Sequence, residues 1–165
     1  MITIFNTGGT FNKAYDELLG RLVVLNDNKI IKTILKNSFK SNPTPAIKGL
    51  IYKDSLDINK QDRKLLLKKI QKCKSKKIII IHGTDTMNKT AKFLNKYIDN
   101  KVIIFVGAMK PFSIEPIEAT ANLMSAYGFL QTKNKTGVYI SMNGLIEKYN
   151  KIKKNKTIGV FECRK

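Results

Sequence analysis

The chain has little of what equips a small secreted, membrane-bound or metal-dependent protein. Its two cysteines, Cys73 and Cys163, show neither CxxC nor metal-ligand spacing, which predicts free thiols in a reducing compartment. With a single histidine, His82, and scattered carboxylates, no metal-ligand set is expected. No run approaches the roughly 20 apolar residues that cross a bilayer, and no basic segment with a cleavage site precedes the opening apolar run. A cytoplasmic protein with no membrane partner is the expectation. Internal repeats, low-complexity linkers and composition breaks are also lacking, so residues 1–165 read as one domain.

Negative charge is scarce as well. Twelve acidic residues face 31 basic ones, for a formal charge of +19. That excess raises nucleic acid as a partner. It is not favoured, because only Arg21, Arg63 and Arg164 are arginines, and phosphate and base recognition draws on the bidentate arginine fork. The lysines spread over every presumed solvent face, most densely at Lys148, Lys151, Lys153, Lys154 and Lys156.

What is present is a regular alternation. Apolar runs near 2–6, 47–52, 78–81, 102–106 and 138–142 alternate with helix-period segments, which predicts an α/β protein with a largely parallel sheet and helices on both faces. Residues 60–74 place Leu65, Leu66, Ile70 and Cys73 on one helical face, with Asn59 as the N-cap. In the helix expected at 86–98, Asp85 or Thr86 can cap the first turn, which gives Asp85 a structural explanation beside a catalytic one. The helix at 116–130 is apolar around most of its circumference, through Ile117, Ala121, Leu123, Met124, Ala126, Phe129 and Leu130, and is expected to be well buried. Residues 11–25, with Leu22-Val23-Val24-Leu25, read as a mobile hairpin over the crevice, ahead of a helix near 27–36.

Two apolar runs end in glycine-threonine turns, Thr7-Gly8-Gly9-Thr10 and His82-Gly83-Thr84-Asp85-Thr86. In a parallel α/β sheet both would open into the crevice at the carboxyl ends of the strands, presenting hydroxyls as an acyl-transfer site would. A threonine hydroxyl is a poor nucleophile at neutral pH and needs an adjacent base. A lysine serves as that base only where burial or neighbouring charge brings its pKa toward the working pH. Taken singly, such turns are more often strand exits, His82 reads as a structural histidine, and a lysine among lysines reads as a solvated surface residue.

Five segments in order resemble the N-terminal domain of bacterial-type L-asparaginases across nearly the whole chain. They are Thr7-Gly8-Gly9-Thr10, Asp54-Ser55-Leu56-Asp57, His82-Gly83-Thr84-Asp85-Thr86-Met87, Val106-Gly107-Ala108-Met109-Lys110-Pro111 and Gly137-Val138-Tyr139-Ile140-Ser141-Met142-Asn143. The resemblance implies a three-layer fold like that domain, no cofactor or metal, and asparagine or a similar small amino acid as substrate. It makes Thr10 the nucleophile, with Thr84, Asp85 and Lys154 as the supporting group and Lys153 and Lys156 close by as alternatives. Ser55, with Asp54 beside it and the amides of Gly9 and Gly83, would hold the substrate α-carboxylate. Asp85 would hold the α-amino group, the Ala108 carbonyl would contact the leaving amide, and Tyr15 would be the lid tyrosine. The family's C-terminal domain, which supplies an acidic residue to a neighbouring subunit's site, has no counterpart in these residues, so Glu115 or Glu118 is considered as a substitute and a homodimer as a means of covering the crevice. Hydrolysis of asparagine or a related small amide is the first expectation. An amino-acid-binding module with little turnover, or a subunit of a tRNA-dependent amidotransferase-like system, are the alternatives.

Overall fold

The computed structural model describes residues 1–39 and 44–164. Its elements run β1 (Ile2–Gly8), a one-turn 3-10 helix (Thr10–Asn12), β2 (Lys13–Asp16), β3 (Arg21–Val24), α1 (Lys29–Ser38), β4 (Ala46–Lys53), a second such turn (Ser55–Asp57), α2 (Lys60–Gln71), β5 (Lys77–Ile81), α3 (Met87–Asn95), β6 (Val102–Val106), α4 (Pro116–Gln131), β7 (Gly137–Met142), β8 (Leu145–Lys148), β9 (Ile152–Asn155) and β10 (Val160–Cys163). The main sheet has the order β4-β1-β5-β6-β7-β8, parallel except for β8. From β1 the chain passes by way of β2, β3 and α1 to β4 on one side, then by way of α2 to β5 on the other. The strand order therefore reverses at β1, and the crevice opens at the carboxyl ends of β1 and β5.

The isoleucine runs make this sheet the middle layer. Ile78, Ile79, Ile80 and Ile81 are all fully buried, as strands covered on both faces require. Alternate residues divide between the two faces: Ile79, Ile81, Ile104 and Val106 pack with α1 and α4, while Ile78, Ile80, Ile103 and Phe105 pack with α2 and α3. Each such side chain contributes roughly 1.5–3 kcal/mol on burial. The expected three-layer α/β architecture is the observed one.

Local expectations fare unevenly. Asn59 caps α2 in a reciprocal box with Asp62, as its side chain predicts. Leu65, however, is 39% exposed, so the buried face of α2 is Arg63, Leu66 and Ile70. In α4, Ile117 and Ala121 are exposed, and the buried stripe is Ala119, Asn122, Leu123, Ala126 and Leu130. The all-round apolar reading failed because small and medium apolar residues at the sheet-distal face need no cover. At α3 the cap position is Thr86, but its hydroxyl donates to the Ser55 carbonyl at 2.7 Å instead of capping, and Asp85 caps nothing. Asp85 thereby loses its structural explanation. The 11–25 segment does form a hairpin, with Lys13–Asp16 paired to Arg21–Val24. Among the described residues, no helix is long and apolar enough to cross a membrane.

Candidate active site

Four strand exits meet at the crevice, and backbone proximity is what joins them. Gly9 has φ 81°, and a Cβ there would lie 2.3 Å from Gly83 N and 2.4 Å from Gly83 Cα. Only glycine permits this approach. The residues that follow the two touching glycines are Thr10 and Thr84, so each threonine leaves from the point where the two turns meet. Gly83 in turn lies against Ser55, whose Oγ would be 2.9 Å from a Cβ at Gly83. Gly107, at the exit of β6, presses on the His82 carbonyl and the Thr84 methyl.

Lys154 reaches this cluster from β9. Its Nζ donates to Thr84 Oγ1 at 2.8 Å and pairs with Asp85 Oδ1 at 2.9 Å. The lysine side chain is 14% exposed and that of Asp85 35%, so the pair sits at the crevice wall with limited solvent screening. Strand alternation separates Lys154 from Lys153, which turns the other way to pair with Glu162 on β10, whereas Lys156 lies beyond the end of β9 and is exposed. Of the lysine-dense stretch, only Lys153 and Lys154 lie on β9, and they take opposite faces.

Ser55 is buried, and its Oγ has no hydrogen-bond partner among the described residues. Its neighbour Asp54 is occupied. The Asp54 carboxylate accepts from Lys13 Nζ at 2.6 Å and from the Leu56 amide at 3.2 Å. Burial acts to raise this carboxyl, but the hydrogen bonds and the lysine charge outweigh it and hold it below the usual carboxylate range. The arrangement does not suit Asp54 as a carboxylate holder, since two anions repel, whereas Lys13 brings a cation to the same strand exit.

His82 is fully buried beneath the second turn. Its Nδ1 lies 2.8 Å from the Gly83 carbonyl, which can only accept, so Nδ1 carries the proton and Nε2 accepts from Thr90 Oγ1 at 2.9 Å. Thr90 Oγ1 accepts from Arg63 Nε at 3.0 Å, completing a chain from α2 through α3 to the turn. Burial first, and then the nearby Arg63 charge against the opposing Gly83 bond, lowers the imidazole to about 4. His82 is thus a neutral structural histidine that fixes the Gly83 peptide.

The loop after β6 is held from two sides. Glu118 accepts from the Met109 and Lys110 amides, and Asn122 Nδ2 donates to the Gly107 carbonyl at 3.0 Å. Ala108, between these anchors, is buried. Glu118 is committed to backbone amides and Glu115 caps α4 through the Ile117 and Glu118 amides, so neither carboxylate is free to serve the crevice. Tyr15 lies on β2 with its side chain 63% exposed and is not gathered with the other groups. The anchors Asn122, Arg63 and Thr90 escape sequence reading, because polar residues inside helix patterns look like solvent-facing positions. A cavity of about 740 Å³ lined by Met1, Ile2, Pro45, Lys77 and Tyr127 lies at the amino ends of the strands and contains none of these residues.

The family described as "Asparaginase, N-terminal" matches residues 1–161. The chain belongs to the asparaginase family. It is 31% identical over 174 residues to the "Probable L-asparaginase periplasmic" of Haemophilus influenzae, a match that takes in 96% of this chain and 47% of that one. The chain thus spans about half the length of this relative. The thermostable L-asparaginase from Thermococcus kodakarensis shares the fold, with a TM-score of 0.84 and 24% identity over 98% of this chain and 50% of the other. A partial likeness, 39% over 71 residues, covers 42% of this chain and 16% of a glutamyl-tRNA(Gln) amidotransferase subunit of Methanococcus vannielii. Within the asparaginase-family fold, the structure groups Gly9, Thr10, Ser55, Gly83, Thr84, Asp85 and Lys154 at one crevice.

Proposed function

We propose that this chain hydrolyses the side-chain amide of L-asparagine or a related small amide, through an acyl-enzyme on Thr10. The observation that carries the reading is Lys154 in contact with both Thr84 and Asp85, beside a turn that abuts the one bearing Thr10. Thr10 Oγ attacks the amide carbonyl, the C–N bond breaks, and nitrogen leaves as ammonia with the proton given up by Thr10. The Thr84–Asp85–Lys154 group carries that proton between the two oxygens and the leaving nitrogen. Water then attacks the ester, releasing the acid and restoring the hydroxyl. The Ser55 hydroxyl and the Gly9 and Gly83 amides take the substrate α-carboxylate, Asp85 takes the α-ammonium, and Ala108 faces the leaving amide. Tyr15, exposed on the hairpin and apart from the other groups in the structure, would serve as the lid residue only with the hairpin folded over the crevice.

In this proposal residues 1–165 act as a single N-terminal-type domain in the cytoplasm, with two free thiols, Cys73 and Cys163, in support. Self-association over the crevice belongs to it as well, supported by exposed Leu18 and Leu19 on the hairpin and exposed Ile114 and Ile117 before and within α4. The deciding experiment is ammonia release from asparagine, glutamine and a panel of small amides, with Thr10→Ala as the blank. Release that disappears in Thr10→Ala is the expected result. Equal signals from both proteins would refute a threonine acyl-enzyme.

A further inference from the structure

We infer that Asn88 is a positioning residue for Lys154, an inference that rests on the catalytic reading of Lys154 given above. Lys154 lies in the β9–β10 ribbon, outside the main sheet, so the register of β5 and β6 does not set its place. Something else must hold β9 against the turn that carries Thr84 and Asp85. The Asn88 amide does so. Its Nδ2 donates to the Tyr149 carbonyl and to the Ile152 carbonyl, each at 2.8 Å, using both of its hydrogens. These carbonyls bracket the connection between β8 and β9, and Lys154 follows two residues later. Asn88 itself stands in the first turn of α3, three residues after Asp85 and four after Thr84.

The result is a closed circuit. One link is the lysine on Thr84 and Asp85, and the other is the asparagine on the backbone that delivers the lysine. Ile152, fully buried against the α2 and α3 side of the core, anchors the same backbone but is apolar and gives it no direction. The amide supplies that direction, because a planar group serving two carbonyls accepts only one orientation of the connection. A lysine stem has four rotatable carbons, so its ammonium stays in place only if its backbone does. Misplacement by about 1 Å costs on the order of 100-fold in rate. Asn88 touches neither substrate nor the lysine ammonium and acts only through the backbone.

The test compares the full chain with Asn88→Ala, Asn88→Asp and Asn88→Gln. The first readout is the rate at which a lysine-selective acylating reagent labels Lys154, mapped by mass spectrometry, with exposed Lys110 as internal reference and Thr84→Val as a control that frees the lysine. Asn88→Ala and Asn88→Asp should raise Lys154 labelling several-fold with Lys110 unchanged, and Asn88→Gln, which keeps both donors, should recover part of the protection. The second readout is kinetic: kcat should fall about 100-fold with KM little changed. Lys154 labelling as slow as in the parent, or faster labelling of all lysines together, would overturn the proposal, and so would failure of both Asn88→Ala and Asn88→Asp to fold. A parent protein that releases no ammonia would sink the function but not this inference, since the labelling comparison still decides whether Asn88 holds Lys154.

Discussion

The two sides of the crevice carry the same three chemical groups in different states. On one side Lys154 binds both the hydroxyl of Thr84 and the carboxylate of Asp85. On the other, Lys13 is engaged with Asp54, and the hydroxyl of Ser55 is buried without a partner among the described residues. A buried hydroxyl left unbonded costs about 1–3 kcal/mol, which natural proteins rarely tolerate without a use. The side on which lysine, hydroxyl and carboxylate bind one another is organised before any ligand arrives, as the proposed proton transfer requires. On the proposed reading, the side with an unused donor is the docking point, completed when a ligand oxygen meets it.

Replacing the two lysines separates these roles most strongly. If the proposed function holds, Lys154→Met should lower ammonia release by about 100- to 10,000-fold with the melting temperature nearly unchanged, since in that reading it removes the proton-transfer group. Lys13→Met should leave kcat within a few-fold and raise KM. Equal kcat losses in the two variants would erase the distinction between the sides.

Acid should act through the Thr84 side, which alone rests on a buried histidine. The His82 imidazole is lowered to about 4 in the fold against an ordinary value of 6.5. The unfolded chain therefore binds a proton that the fold refuses. The contribution is complete above pH 6.5 and declines as pH falls toward 4, where roughly 3 kcal/mol has been lost. Denaturant titrations across that interval check it, and His82→Gln should flatten the slope.

Ser55→Ala gives the smallest effect and the most informative sign. Removing an unbonded hydroxyl should raise stability by about 1 kcal/mol, measured in urea, while weakening substrate binding. A loss of stability would mean that the hydroxyl has a structural partner.

The sheet was legible in the sequence because isoleucine runs bounded by turn residues have few other solutions. Thr10, Thr84 and Asp85 were legible for a related reason, since each follows a strand by one or a few residues and the strand carries it to the crevice. Lys154 was harder, because it stands among lysines and only β9's alternation turns it inward while Lys153 turns out. Asn88 was not legible at all. A polar residue in a helix's first turn gives no sign of whether it meets water or two carbonyls some 60 positions away. The same holds for Glu118, which on charge alone looked available and in the fold is taken up by backbone amides.

The placement of Lys154 outside the main sheet also orders events in time. Thr84 and its lysine partner are 70 positions apart, and β1, β4, β5, β6 and β7 are all in hand once the chain reaches Met142. A chain emerging from the ribosome can assemble the core, and with it both threonine turns, while the lysine is still in the exit tunnel. On the proposed reading the young protein would then be folded yet inert, with Lys154 meeting Thr84 and Asp85 only when the ribbon docks against α3.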